Sequence, residues 1–164
     1  MSVVASGVGF EAEEVRIEEP TRAARLKWVV VVDRALPAGL AVNAAVCVAG
    51  ATATGVAGLL GPDAPDADGS AHPGLPWAGC SVLGADAGQL ATLRRKAAAA
   101  EGVFVADMPE AGQSTRVYRE YLDQVAATTG EDLRYLAVSV VGPRNRVDKL
   151  VGRLPLLGRG EDAA

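Results

Sequence analysis

Asn43 and Cys47 stand four residues apart in a run of alanine and valine, so on a helix they share one face. A thiol placed there becomes a nucleophile only where a base or a cation lowers its pKa. His72 is the only histidine, and therefore the one imidazole that could serve Cys47, provided the long segment carrying it folds over the helix. Asp107 follows an apolar run and could orient that ring. The trio Cys47, His72 and Asp107 would support acyl transfer. Asn43, near a helix N-terminus rich in free N–H groups, would orient the ligand. The competing readings are plainer: Cys47 as inert packing among small residues, and Asn43 as a hydrogen-bond partner of a neighbouring loop.

Carboxylates offer a second chemistry. Asp33 and Asp107 each close an apolar stretch, and in an open α/β sheet both would face the crevice at the strand C-termini. Together they could share acid/base work; separately, each would cap the loop that follows. Asp63, Asp66, Asp68 and His72 crowd one loop, but Ala64 breaks the calcium-loop pattern and Leu75 stands where its closing glutamate belongs. Turn chemistry accounts for Asp68-Gly69 without an ion. No metal and no cofactor are expected; Asp68 and Asp33 remain candidates for contacting a ligand.

The elements that must position these groups centre on Lys27–Gly50. Trp28–Val32 has no alternation to polar residues and reads as a strand buried on both faces. Gly39–Ala57, small and apolar throughout, reads as a buried helix lying close on a sheet. The Gly-, Pro- and Asp-rich stretch after it reads as a long loop, functional or mobile. Cys80–Leu83 is a short strand. Asp86 caps the next helix with Gln89 three residues on, and that helix runs to about Glu101. Val103–Ala106 is a strand ending at Asp107, a helix starts near Thr115, and Leu133–Val141 is the last clear strand before the short helix Arg144–Val151. This order predicts a three-layer α/β sandwich: a mostly parallel mixed sheet of about four strands with helices on both faces. Residues 1–25 read as an N-terminal arm, mobile or packed on a neighbour, residues 26–158 as one α/β domain, and residues 159–164 as a C-terminal tail.

Composition narrows the function. Of 164 residues, 49% are hydrophobic, which excludes a disordered chain. The net charge of -4 and the scarcity of lysine count against nucleic acid, although Arg94 with Arg95, or Arg144 with Arg146 and Arg153, could form a local patch. No apolar run is read as reaching the length of a membrane span, and the start lacks the features of a signal peptide. Cys47 and Cys80 read as free, buried thiols, which points to a reduced, cytoplasmic protein.

Four stretches carry a resemblance: VVVVDRALPAGLAVNAA, GPDAPDADGSAHPG, ADAGQLATLRRKA and VGPRNRVDKLVGRL. In this order they resemble the family called domain of unknown function two thousand, whose members have a peptidyl-tRNA hydrolase II-like fold. The last stretch is similar to the closing segment of true peptidyl-tRNA hydrolases of that type. For those hydrolases the resemblance implies a histidine on the first helix, a catalytic lysine, an aspartate after a central strand and a threonine beyond it. Asp107 matches the aspartate. Cys47 falls where the histidine would be, no lysine lies between Lys27 and Lys96, and Thr115 is the nearest threonine, several residues late. The resemblance implies the fold; the reaction is not inherited with it. It also implies pairing, so a homodimer is expected.

Three functions follow. The first is hydrolysis of a small ester or amide, in a site lined by Asn43, Cys47, His72 and Asp107. The second is a non-catalytic module binding a metabolite or a partner. The third, hydrolysis of aminoacyl- or peptidyl-tRNA, is opposed by the charge and the missing lysine.

Overall fold

The computed structural model describes residues 7–159. β1 (Leu26–Asp33) is buried throughout except at Lys27. α1 (Ala38–Gly55) follows. A ribbon then carries β2 (Ala64–Pro65) and β3 (Ala71–His72). β4 (Ser81–Ala85) leads into α2 (Ala87–Ala98), where Asp86 and Gln89 form the expected reciprocal capping box. β5 (Phe104–Pro109), the single-turn α3 (Ala111–Ser114) and α4 (Tyr118–Ala126) precede β6 (Tyr135–Pro143) and α5 (Arg144–Val151).

The main sheet has the order β4-β1-β6-β5. β1 and β4 are parallel, whereas β6 runs antiparallel to both β1 and β5. Three strands point one way and β6 opposes them, so two of the three pairings are antiparallel and the sheet is mixed rather than mostly parallel, because the central β6 separates β5 from its parallel partners. Alternate residues of β1 supply two cores, as a central strand must. Trp28, Val30 and Val32 pack under α1 with Ala44 and Val48, while Val29 and Val31 pack under α2 and α5 with Leu90, Leu93 and Val147. The result is a mixed four-stranded sheet covered by helices on both faces.

One buried polar chain crosses the α1 layer. Trp28 Nε1 donates to Ser139 Oγ at 2.8 Å, and Ser139 and Thr52 hydroxyls lie 2.7 Å apart. Thr52 spends its proton on the Val48 carbonyl, also at 2.7 Å. Ser139 must therefore donate to Thr52. Every donor is used, so the chain locks strand to helix without an orphaned group.

Several sequence expectations need correction. α1 is not buried all round: Ala41, Ala44, Val48, Thr52 and Gly55 form its buried stripe, while Leu40, Val42 and Val46 are exposed. Cys47 and Cys80 are exposed rather than buried. At 18 residues α1 is also long and apolar enough, by length and composition, to cross a membrane; here its stripe packs on the sheet. The stretch read as a loop is a built ribbon. Leu60 bridges Pro76, Gly61 N donates to Leu75 O, and β2 pairs with β3. A Cβ at Gly74 would stand 1.8 Å from the Gly61 carbonyl oxygen, so the two backbones meet only because position 74 has no side chain. Asp107 lies within β5 rather than after it, because Met108 and Pro109 continue the pairing with β6. The helix expected from Thr115 begins at Tyr118, since Ala111–Ser114 forms its own turn.

The described part of the arm packs on the domain. Phe10 is buried and meets the Trp77 ring at 4.8 Å. Arg25 pairs with Glu14 and donates to Gly9 O, and Arg144 Nη2 donates to the carbonyls of Thr21 and Ala24. Residues 1–6 of the arm and 160–164 of the tail lie outside the described residues.

Candidate functional site

β5 is an edge strand, and α1 on one side of it and the α3–α4 segment beyond it leave a cleft of about 540 Å³. Its floor is Met108 and its walls are Cys47 and Ala51 from α1, Val117 from the link, and Tyr118 and Tyr121 from α4. Asp107, Thr115 and Arg116 complete its lining. Gly112 lets α3 approach: a Cβ there would come within 2.9 Å of Met108 Cε. Gln113 ties α3 to α1 by donating to Leu40 O at 2.8 Å and to Asn43 Oδ1 at 3.1 Å.

The electrostatics are specific. By strand alternation Phe104 and Ala106 face α1, so the Asp107 side chain faces α2. There Arg94 Nε donates to its Oδ2 at 3.0 Å. That bond raises the Arg94 pKa, and the guanidinium also lies 5.7 Å from the centre of the Tyr135 ring. Tyr118 and Tyr121 rings sit 5.3 Å apart. Desolvation, then the neighbouring Tyr118 and Asp107, push the Tyr121 phenol up, so it stays protonated and able to donate at neutral pH. Arg116 is exposed and has no acidic partner among the described residues.

The candidates named from sequence divide. Cys47, Asp107 and Thr115 line this cleft; Thr115 Oγ1 donates to Ala111 O at 2.8 Å. Among the described residues Cys47 has no hydrogen-bond partner. Asn43 sits one turn above, with its amide oxygen held by Gln113. His72 lies on the exposed ribbon, 3.4 Å from Asp66 Oδ2, and does not line the cleft. Asp68 belongs to the same ribbon turn, its N–H donating to Asp66 Oδ1. Asp33 is buried; it accepts from Ala35 N and from Arg134 Nη2, with β6 standing between its strand and β5. The trio Cys47, His72 and Asp107 is thus not assembled, and Asp33 and Asp107 each hold their own arginine. No group of metal-ligating side chains gathers among the described residues.

Sequence reading overlooked Arg116, Met108 and the pair Tyr118 and Tyr121 as site residues. The signal was the compact Thr-Arg-Val-Tyr run between a strand and a helix, which places a cation beside aromatics. What this arrangement offers a small molecule is apolar and aromatic walls, one free guanidinium and one hydroxyl donor, with the Asp107 carboxylate turned to Arg94.

Comparison with known proteins adds the family. The description "Protein of unknown function (DUF2000)" matches residues 26–158. A solved structure of a protein of unknown function from Agrobacterium tumefaciens strain C58 is similar, with a TM-score of 0.72 at 16% identity, covering 80% of this chain and 97% of that one; at that identity the likeness concerns the fold. A search among curated proteins finds no match. With the match spanning most of the chain, the protein belongs to the DUF2000 family of proteins of unknown function.

Proposed function

We propose that the cleft between α1 and α4 is a binding site for a small, flat, largely apolar molecule bearing one acid group. The observation that carries this is the company Arg116 keeps. It is a cation without an acidic partner among the described residues, set in a lining of Met108, Val117, Tyr118 and Tyr121. Pockets for small ligands have this build, apolar walls with few placed polar groups. The test is thermal stabilisation by benzoate and phenylacetate at constant ionic strength. Stabilisation that saturates, and that Arg116→Gln weakens several-fold, supports the reading; equal behaviour of Arg116→Gln and the parent chain contradicts it.

Hydrolysis of a small ester or amide is the second reading, and the exposed Cys47 thiol in the cleft favours it. It expects turnover of p-nitrophenyl acetate that Cys47→Ala abolishes with the melting temperature unchanged. Binding without turnover expects no such loss. The peptidyl-tRNA hydrolase II-like sandwich belongs to this proposal as well, supported by the mixed four-stranded sheet with helices on both faces. So does the homodimer. Its support is the solvent face of α1, where Leu40, Val42 and Val46 are exposed on a helix without a single charge; a second copy of the same neutral face opposes no like charges.

A further inference from the structure

We propose that a second pocket, at the opposite end of the sheet from the cleft, binds a small phosphate-bearing anion. It lies where β1 and β4 begin and where β6 hands over to α5. Its volume is about 280 Å³, and Thr21, Arg22, Lys27, Gly79, Ser81 and Arg144 are among its lining residues.

Three of these side chains are cations, and no acid lines the pocket. In a chain of net charge -4 that is a local reversal. Several arginines elsewhere are matched to acids, Arg16 to Glu19, Arg25 to Glu14, Arg94 to Asp107, Arg119 to Asp123 and Arg134 to Asp33; what sets this pocket apart is that three cations converge on one hollow with no acid in its lining. Here the matching is incomplete. Lys27 reaches Asp148 with one of its three donors. Arg22 has no partner among the described residues. Arg144 meets no carboxylate; its Nη2 donates to the carbonyls of Thr21 and Ala24, and its buried Nε has no acceptor. Its Nη1 is uncommitted among the described residues, as are the hydroxyls of Thr21 and Ser81.

The complement of these groups is defined by chemistry. Guanidinium N–H groups, an ammonium and two hydroxyls are donors with excess positive charge, and their best match is an oxyanion with several acceptor oxygens and more than one negative charge. A phosphate fits that description better than a single carboxylate. The space holds a phosphate together with a small organic body, so free phosphate and a phosphomonoester are both candidate sources. The pocket also explains why Arg144 stands at this place. It fastens the arm through Thr21 and Ala24, so an anion seated against it would tie the arm, β1 and α5 together.

The experiment is calorimetric titration of the whole chain with inorganic phosphate and, separately, with ribose 5-phosphate, at ionic strength matched with chloride. We expect saturable binding of both. Arg22→Gln, an exposed position that leaves packing intact, and Ser81→Ala should each weaken it five- to tenfold, with Arg119→Gln as an unaffected control. Tighter binding of ribose 5-phosphate identifies a phosphomonoester as the ligand; equal binding identifies phosphate alone. The proposal is overturned if phosphate produces no heat beyond the chloride control. It is equally overturned if Arg22→Gln and Ser81→Ala bind as the parent chain does. Neither result touches the cleft, whose test uses different probes and a different arginine.

Discussion

Ser139 shows how one side chain can serve elements far apart in sequence. Its hydroxyl accepts from Trp28 and donates to Thr52. Ser139→Ala leaves a buried indole N–H without an acceptor, which costs about 1–3 kcal/mol; urea denaturation should register that loss with an unchanged slope. The two thiols should differ as well. Cys80 is reached by solvent, but the atoms packed around its sulfur desolvate the thiolate and push the thiol up to about 11, so at pH 8 it is almost wholly protonated and alkylates slowly. Labelling with iodoacetamide should therefore mark Cys47 first, and a cleft ligand should slow that step. Residue-scale features were legible where they were local. Asp86 and Gln89 are three apart and announce their own capping box. Trp28 and Ser139 are 111 residues apart, and nothing in either neighbourhood names the other. With one histidine in the chain, the sequence offers Cys47 no imidazole but His72; in the structure Asp66, six residues away, is its partner.

At the scale of elements, α1 is the instructive case. Its residues are small and apolar on every side, so periodicity could not say which stripe is buried. That is why the sequence leaves Cys47 open between a site thiol and inert packing; in the structure it is exposed and lines the cleft. The fit on the buried side is tight: a Cβ at Gly55 would stand 2.4 Å from the Phe104 ring. Gly55→Ala should cost roughly 1–3 kcal/mol through forced repacking, visible as a lower melting temperature. The arm offers a pH test. Its Glu14 accepts from Arg25, which holds the carboxyl at about 2 against an ordinary 4.5. A depressed carboxylate stabilises the fold above its unfolded pKa. That contribution is therefore complete above about 4.5 and drains away as pH falls toward 2. Because the pair is open to solvent, salt should weaken it. Glu14→Gln should flatten the fall of melting temperature across that window.

For the whole molecule, strands flanked by helical patterns were enough to read a four-stranded sheet with helices on both faces. The order β4-β1-β6-β5 and the reversal of β6 were not readable, because β6 is as uniformly apolar as β1 and the alternation that would betray a half-exposed antiparallel strand is missing. The site suffered for the same reason. Which residues meet at the β5 edge depends on β5 being an edge, and that is a property of the assembled sheet. At this scale the exposed, uncharged face of α1 predicts a dimer. Sedimentation should give twice the 16.7 kDa chain mass, and Val46→Asp should return it to a monomer; a monomer at all concentrations contradicts the pairing.

The claim on which the functional reading stands is that the α1–α4 cleft takes a ligand. The direct measurement is amide chemical-shift mapping of the isotope-labelled chain titrated with phenylacetate. The account predicts saturable shifts gathered at Cys47, Gly112, Thr115, Arg116, Tyr118 and Tyr121, lost in Arg116→Gln. Shifts scattered over the surface, gathered on another face, or unchanged by Arg116→Gln would contradict it.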